Sequence, residues 1–186
     1  MFSNIPKCLA LLFCLWGLLC AAEPLPIWID VPFVKQERNG CGAASIAMVV
    51  EYWQRQAKTS DKHADAGEIQ RMLYSRKARG IYASDLERYF EHHGFRAFAF
   101  HGEWSDLERH LAKGRPLIVA LKPQSGRDLH YVVVAGLDGE RALVLVNDPA
   151  ERKLLKREWS DFEPEWKGAG SWTLLAIPRE DAPSLP

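Results

Sequence analysis

The residues of this sequence best equipped for chemistry surround a cysteine held between two glycines. Gln36 to Trp53 reads Q-E-R-N-G-C-G-A-A-S-I-A-M-V-V-E-Y-W. Ala44, Ala47, Met48 and Tyr52 recur at helical spacing with no proline between them, which predicts a helix from Cys41 to about Arg55. A cysteine in the first turn of a helix meets unpaired backbone N–H groups and the positive end of the helix dipole, and both favour an anionic sulfur. Gly40 and Gly42 leave room for a substrate backbone to approach that sulfur. Ala43 and Ala44 allow the helix to lie close against a sheet. Gln36, on the loop upstream, can turn its amide toward an oxyanion beside the Cys41 N–H. Taken singly, a free cysteine is most often a small buried apolar residue, the glycines serve a turn and Gln36 is a solvated loop residue. Together in one segment they favour a thiol nucleophile.

Such a nucleophile needs a base, and the chain has six histidines. His92 and His93 are adjacent and point to different faces, as at the solvated end of a helix. His63, His101 and His110 lie in polar or helix-surface settings. His130 differs, because it opens the run Leu129-His130-Tyr131-Val132-Val133-Val134-Ala135-Gly136, where a strand holds it at a sheet's edge. Asp138-Gly139 then signals a hairpin. A two-residue loop sets His130 opposite Asn147, and a four-residue loop sets it opposite Pro149. Either way Asp148 falls within one residue of the position facing His130. There a carboxylate accepts the imidazole N–H and aims the ring at the sulfur. Asp before proline is also a common turn residue, and Asn147 is a rival orienter, since an amide can serve a cysteine nucleophile.

The elements that must position these groups read as follows. Ile27 to Val31 is a short strand ended by Pro32. A second helix covers Glu68 to Arg76. Ser84-Asp85-Leu86-Glu87 and Ser105-Asp106-Leu107-Glu108 are capping-box patterns opening two more helices, closed by Gly94 and Gly114. Phe95–Phe100, Leu117–Leu121, His130–Leu137, Ala142–Asn147 and Ser171–Ile177 read as strands. Helices dominate the first half and an antiparallel sheet the second, which argues for an α+β domain with a helical N-terminal half packed on a C-terminal antiparallel sheet.

Composition and targeting bound the setting. Met1 to Lys7 is polar with one positive charge, Leu9 to Leu19 is almost wholly apolar, and Cys20-Ala21-Ala22 supplies small residues. That is the layout of a secretory signal peptide cleaved after Ala22. The apolar run is too short for a membrane span, and bulky Leu19 argues against lipid attachment at Cys20. Residues 1–22 are therefore expected to be a signal peptide, residues 23–178 one domain and residues 179–186 a flexible, proline-rich tail. Of the four cysteines, Cys8, Cys14 and Cys20 leave with the signal, so Cys41 is the single thiol of the mature chain. It supports no intrachain disulfide and no multi-cysteine metal site. Lys7 is the only charge lost from 24 Lys plus Arg against 24 Asp plus Glu, so the mature charge is near −1. That provides no electrostatic argument for nucleic acid or an anionic membrane.

Four segments carry a family resemblance: Asp30-Val31-Pro32; Gln36 with Asn39-Gly40-Cys41-Gly42-Ala43-Ala44-Ser45; His130-Tyr131-Val132-Val133; and Asn147-Asp148-Pro149-Ala150. In that order they resemble the double-glycine leader peptidases, papain-fold cysteine peptidases best known as N-terminal domains of bacteriocin-exporting ABC transporters. The resemblance spans Ile29 to Ala150. It implies a papain-like fold, Gln36 as oxyanion-hole residue, Cys41 as nucleophile, His130 as base and Asp148 as third member. It also implies small residues, glycine above all, before the cut bond; that needs a narrow groove, for which the sequence offers bulky Trp28, Tyr131 and Trp172 as candidate walls. No transporter membrane segments or nucleotide-binding motif follow, so the expectation is a stand-alone enzyme, periplasmic or secreted, acting on an exported protein or peptide. Secretion machinery is a candidate partner. Neither a cofactor nor a metal is expected, nor nucleic acid, and a monomer is. A transglutaminase-like acyltransferase and a non-catalytic peptide-binding module of the same fold are the alternatives.

Overall fold

A computed structural model describes residues 26–58, 64–123, 126 and 128–179. The expected signal peptide, His63 and the tail beyond Arg179 lie outside the described residues. The elements are β1 (Ile27–Trp28), α1 (Cys41–Ala57), α2 (Ala66–Leu73), α3 (Ala83–His92), β2 (Phe95–His101), α4 (Trp104–Leu111), β3 (Leu117–Leu121), β4 (His130–Asp138), β5 (Leu143–Asn147), β6 (Leu155–Glu158), α5 (Trp159–Gly168) and β7 (Trp172–Pro178). All pairings are antiparallel, in the order β2-β7-β3-β4-β5-β6, with β1 added to β4. Among the described residues no helix is long and apolar enough to cross a membrane.

The α+β architecture expected from the sequence is present, with helices on both faces of the sheet. On one face Ile46, Met48 and Val49 of α1 meet Ile118 and Ala120 of β3 and Tyr131, Val133 and Ala135 of β4. On the other, Leu107 and Leu111 of α4 and Phe162 and Trp166 of α5 cover Val119, Val132 and Val134. Alternate residues of each central strand thus enter separate cores, as the two-residue side-chain period requires. It also explains why β4 reads as an unbroken apolar run rather than an alternating one. Helix α1 is buried continuously from Gly42 to Tyr52, a central helix held at its far end by the Tyr52 hydroxyl on the Gly114 carbonyl (2.6 Å) and by Trp53 Nε1 on the Ala176 carbonyl (3.0 Å).

Several local expectations are corrected. The strand at Ile27 stops at Trp28, because the Val31 N–H turns back to the Ile29 carbonyl (2.9 Å). Helix α2 starts earlier than expected, at Ala66, since the Asp65 side chain caps the N–H groups of Gly67 and Glu68 at 2.8 and 3.0 Å. Neither serine box caps a helix. Ser84 and Ser105 fall inside the first turns of α3 and α4, and the box on α4 is made by Glu103 and Asp106 instead. Strand β6 and helix α5 were not anticipated. Leu155-Lys156-Arg157-Glu158 carries little apolar signal, and Pro164 interrupts the helical pattern.

The register between β4 and β5 also differs. Asp138 pairs with Leu143 across a four-residue loop, and a bulge at Ala135 then shifts the pairing so that Val133 faces Asn147. Continued to the strand's start, that register would carry His130 past Asp148 rather than to within one residue of it. Contact is made by the turn after β5: Asp148 N–H donates to the Arg152 carbonyl at 3.1 Å and Glu151 N–H to the Asp148 carbonyl at 3.0 Å. The bulge has a visible purpose. Ala135 offers its carbonyl to Ile29 N–H at 2.8 Å, and at Gly136 a Cβ would meet the Ile27 carbonyl oxygen at 2.7 Å, so only glycine admits β1 there.

Candidate active site

Three chain segments converge at one end of the sheet. The loop before α1 folds tightly, with Gly40 N–H on the Glu37 carbonyl (3.0 Å), Gln70 Nε2 on the Arg38 carbonyl (3.0 Å) and Asn39 in the left-handed region at φ 57°. Cys41 follows as the first residue of α1. No side chain caps this terminus and no acidic residue lies in its first turn, so nothing neutralises the positive helix end at the sulfur. The flanking glycines also serve packing, a role the sequence-based expectation did not include. A Cβ at Gly40 would meet Gln70 Oε1 at 2.6 Å, and one at Gly42 would press on Ile81 Cβ at 3.2 Å.

His130 begins β4, opposite Leu121 of β3. Its Nε2 donates to Asp148 Oδ1 at 2.8 Å, and the Cys41 side chain lies near enough to help hold the ring's proton. Because a carboxylate only accepts, Nε2 carries the proton and Nδ1 is the nitrogen left for sulfur. The same Asp148 oxygen accepts Ala150 N–H at 2.9 Å. Asp148 is therefore both turn residue and histidine partner.

Opposed effects set the charges here. Burial disfavours the His130 imidazolium, but hydrogen bonds and charge from Asp148 and Cys41 outweigh it and raise its pKa to about 9. Burial likewise opposes the Asp148 carboxylate, while His130 and the N–H groups of Ala150 and Glu151 win and hold it below the usual carboxylate value. Burial, then the charge at Cys41, pushes the Tyr131 phenol up. A histidine whose pKa rises on folding stabilises the fold below the unfolded value near 6.5 and loses that contribution as pH climbs through about 9. An NMR titration of the wild-type protein is accordingly expected to place the His130 midpoint at about 9. A midpoint at the free-histidine value would mean that Asp148 and Cys41 do not hold the ring.

Asn147, the rival orienter, is committed elsewhere. It is fully buried, its Nδ2 donates to the carbonyls of Val31 (3.1 Å) and Pro32 (3.2 Å), and its Oδ1 accepts Leu154 N–H (2.9 Å). It clamps the segment before the cysteine loop to the turn after Asp148. Gln36 is tied to that turn as well, through its N–H on the Pro149 carbonyl at 2.9 Å. Its side-chain oxygen is buried with no hydrogen-bond partner among the described residues, the kind of exception that functional sites carry.

Gln36, Cys41 and His130 line one cleft of about 620 Å³. Asp148 stands behind His130, outside the lining. Of the three expected walls only Tyr131 lines the cleft. Trp28 is exposed on β1, and Trp172 packs edge-on against Tyr131 at 5.6 Å. The remaining walls include Ile81, Tyr82, Pro123 and Leu129, with Arg79 and Asp128 at their margin. Sequence reasoning missed these, since Arg76-Lys77-Ala78-Arg79-Gly80 reads only as a polar turn. None of His92, His93, His101 and His110 lines this cleft.

The model of the Peptidase_C39 like family matches residues 28–173. Comparison with curated proteins finds no match. Among solved structures, the peptidase domain of Streptococcus ComA, a bifunctional ABC transporter of a quorum-sensing pathway, is 20% identical with a TM-score of 0.63, covering 81% of this chain and 100% of that one. A double glycine motif protease from an AMS/PCAT transporter, solved with its leader peptide, is 22% identical with a TM-score of 0.63, covering 83% and 98%. A C39-like protein of Bacillus anthracis is 17% identical with a TM-score of 0.64, covering 83% and 98%. At these identities the likeness is one of fold.

Proposed function

The chain belongs to the peptidase C39-like family, and from that premise we propose that it is a cysteine peptidase cleaving peptide bonds through a thioester. The observation carrying this reading is Cys41 at an uncapped helix start, sharing one cleft with a His130 whose Nε2 is 2.8 Å from Asp148. The Cys41 thiolate attacks the scissile carbonyl carbon, and the carbonyl electrons move to oxygen. Gln36 and the Cys41 N–H, one of the free donors at the start of α1, stabilise that oxyanion. As the C–N bond breaks, the His130 imidazolium delivers its proton to the leaving nitrogen. His130, now neutral, takes a proton from water, whose oxygen displaces the sulfur and releases the acid product. Asp148 holds the ring in the one tautomer that serves both steps.

The substrate in this reading is an exported protein or peptide, because residues 1–22 have the layout of a signal peptide. It is cut after small residues such as Gly-Gly, the motif by which a solved structure of the same fold is described. Mass analysis of products from an unbiased peptide library tests both activity and motif. Water-derived carboxylates expected at new C-termini support hydrolysis; transfer to an added amine instead would make the protein a transglutaminase-like acyltransferase. Failure to react with a thiol-directed peptide electrophile would make it a binding module. Gln36→Ala is expected to lower kcat by about 100-fold with little change in KM. An unchanged rate would return Gln36 to a loop role.

A further inference from the structure

One ion pair spans the cleft between segments 49 residues apart in sequence: Arg79 Nη2 contacts Asp128 Oδ1 at 2.7 Å and Oδ2 at 2.6 Å. Both side chains line the cleft that holds Cys41 and His130, and both are more than half exposed. We propose that Arg79 anchors an acidic side chain of the peptide in this cleft, with Asp128 holding the guanidinium in position. The inference rests on the peptidase reading above and specifies its substrate class.

The argument starts with the backbone. Ser75 and Gly80 exchange hydrogen bonds at 2.8 and 3.3 Å across a tight loop, and Ala78 N–H reaches Ser75 Oγ at 3.4 Å. Arg79 lies in this loop in the left-handed region at φ 52°, so its direction is set by a closed turn rather than by a free strand of loop. The donor count comes next. A guanidinium pairs best with a carboxylate through two parallel N–H groups on two nitrogens. Here one nitrogen serves both Asp128 oxygens, which leaves Nε and Nη1 without a partner among the described residues. Asp128 has both oxygens engaged. The pair therefore offers the cleft free N–H donors, and His130, another member of the lining, is a cation when protonated. A substrate carboxylate meets complementary hydrogen bonds there, while a lysine or arginine finds no such match to the guanidinium. An arginine already held by Asp128 also loses less side-chain freedom on binding than an untethered one.

The test uses C-terminally amidated peptides in which Glu, Gln or Lys is placed in turn at each position around the cut. With wild-type protein one position is expected to show KM about 10-fold lower for Glu than for Gln, as a charge-assisted hydrogen bond in a cleft warrants. The Glu-to-Gln ratio should fall to about 1 in Arg79→Ala, stay partial in Arg79→Lys, and invert toward Lys peptides in Arg79→Glu. An exposed pair contributes little to stability, so circular dichroism should report folded variants. Anisotropy of fluorescently labelled forms of these peptides on Cys41→Ala protein measures binding without turnover. An Arg79-dependent Glu preference there, with no cleavage by wild type, would uphold the anchor and sink the peptidase reading. Cleavage with no Glu preference, or with a preference that survives Arg79→Ala, would overturn the anchor alone. Neither binding nor cleavage would overturn both.

Discussion

Cys41→Ala is expected to remove peptide hydrolysis, by at least ~10⁴-fold, and His130→Ala to do nearly as much. Members of a nucleophile–base unit fail together, since neither half has a use without the other. The structure makes this a clean experiment. Cys41 is the first residue of α1 and only partly buried, and alanine is a better helix former there. His130 starts β4 with its ring held by Asp148 at the cleft, while the β3 pairing opposite Leu121 is carried by backbone. Thermal melts should therefore stay near wild type while turnover disappears. Residual activity above one part in ~10³ in folded Cys41→Ala protein would mean that the sulfur is not the nucleophile. Asp148→Asn provides the graded contrast. An amide still reaches the ring but no longer holds an imidazolium by charge, so a fraction of activity should survive. The His130 midpoint should then drop from about 9 toward the ordinary histidine value.

Asn147→Ala should have the largest effect on stability, with no direct role in chemistry. Its side chain answers three backbone groups from two separate segments in a fully buried site. Truncation leaves the carbonyls of Val31 and Pro32 and the N–H of Leu154 without partners. Buried unsatisfied groups cost about 1–3 kcal/mol each, and partial relaxation of the turn puts the expected loss at about 3 kcal/mol. For a domain of this size that is a fall in Tm of about 6–12 °C. Asp148→Asn should lose far less, since an amide oxygen can still accept Ala150 N–H. Equal losses in the two variants would mean that the turn, rather than the Asn147 clamp, joins these segments.

The sequence by itself brought out Gln36, Cys41, His130 and Asp148 as candidates, and most of the elements presenting them. Cys41 is the only cysteine after residue 22, and its glycine-flanked place at the start of an apolar helical run is a local pattern. Strand β3 matches its expected span, and β2, β4, β5 and β7 match to within a residue or so at each end, because β-branched runs between turn residues are local signals too. Tertiary structure decided what depends on partners distant in the chain. Asp148 and Asn147 are neighbours with similar side chains, and only the bulge at Ala135 and the turn after β5 send one to His130 and the other to Val31 and Pro32. Gly40 and Gly42 gained a packing role from Gln70 and Ile81, residues of a later helix and loop. Arg79 and Asp128 are unremarkable charges in sequence and become a pair only when two loops close over one cleft. The physical reason is common to all three cases: side-chain type and spacing act over a few residues, whereas register and contact are set by which distant surfaces a packed core brings together.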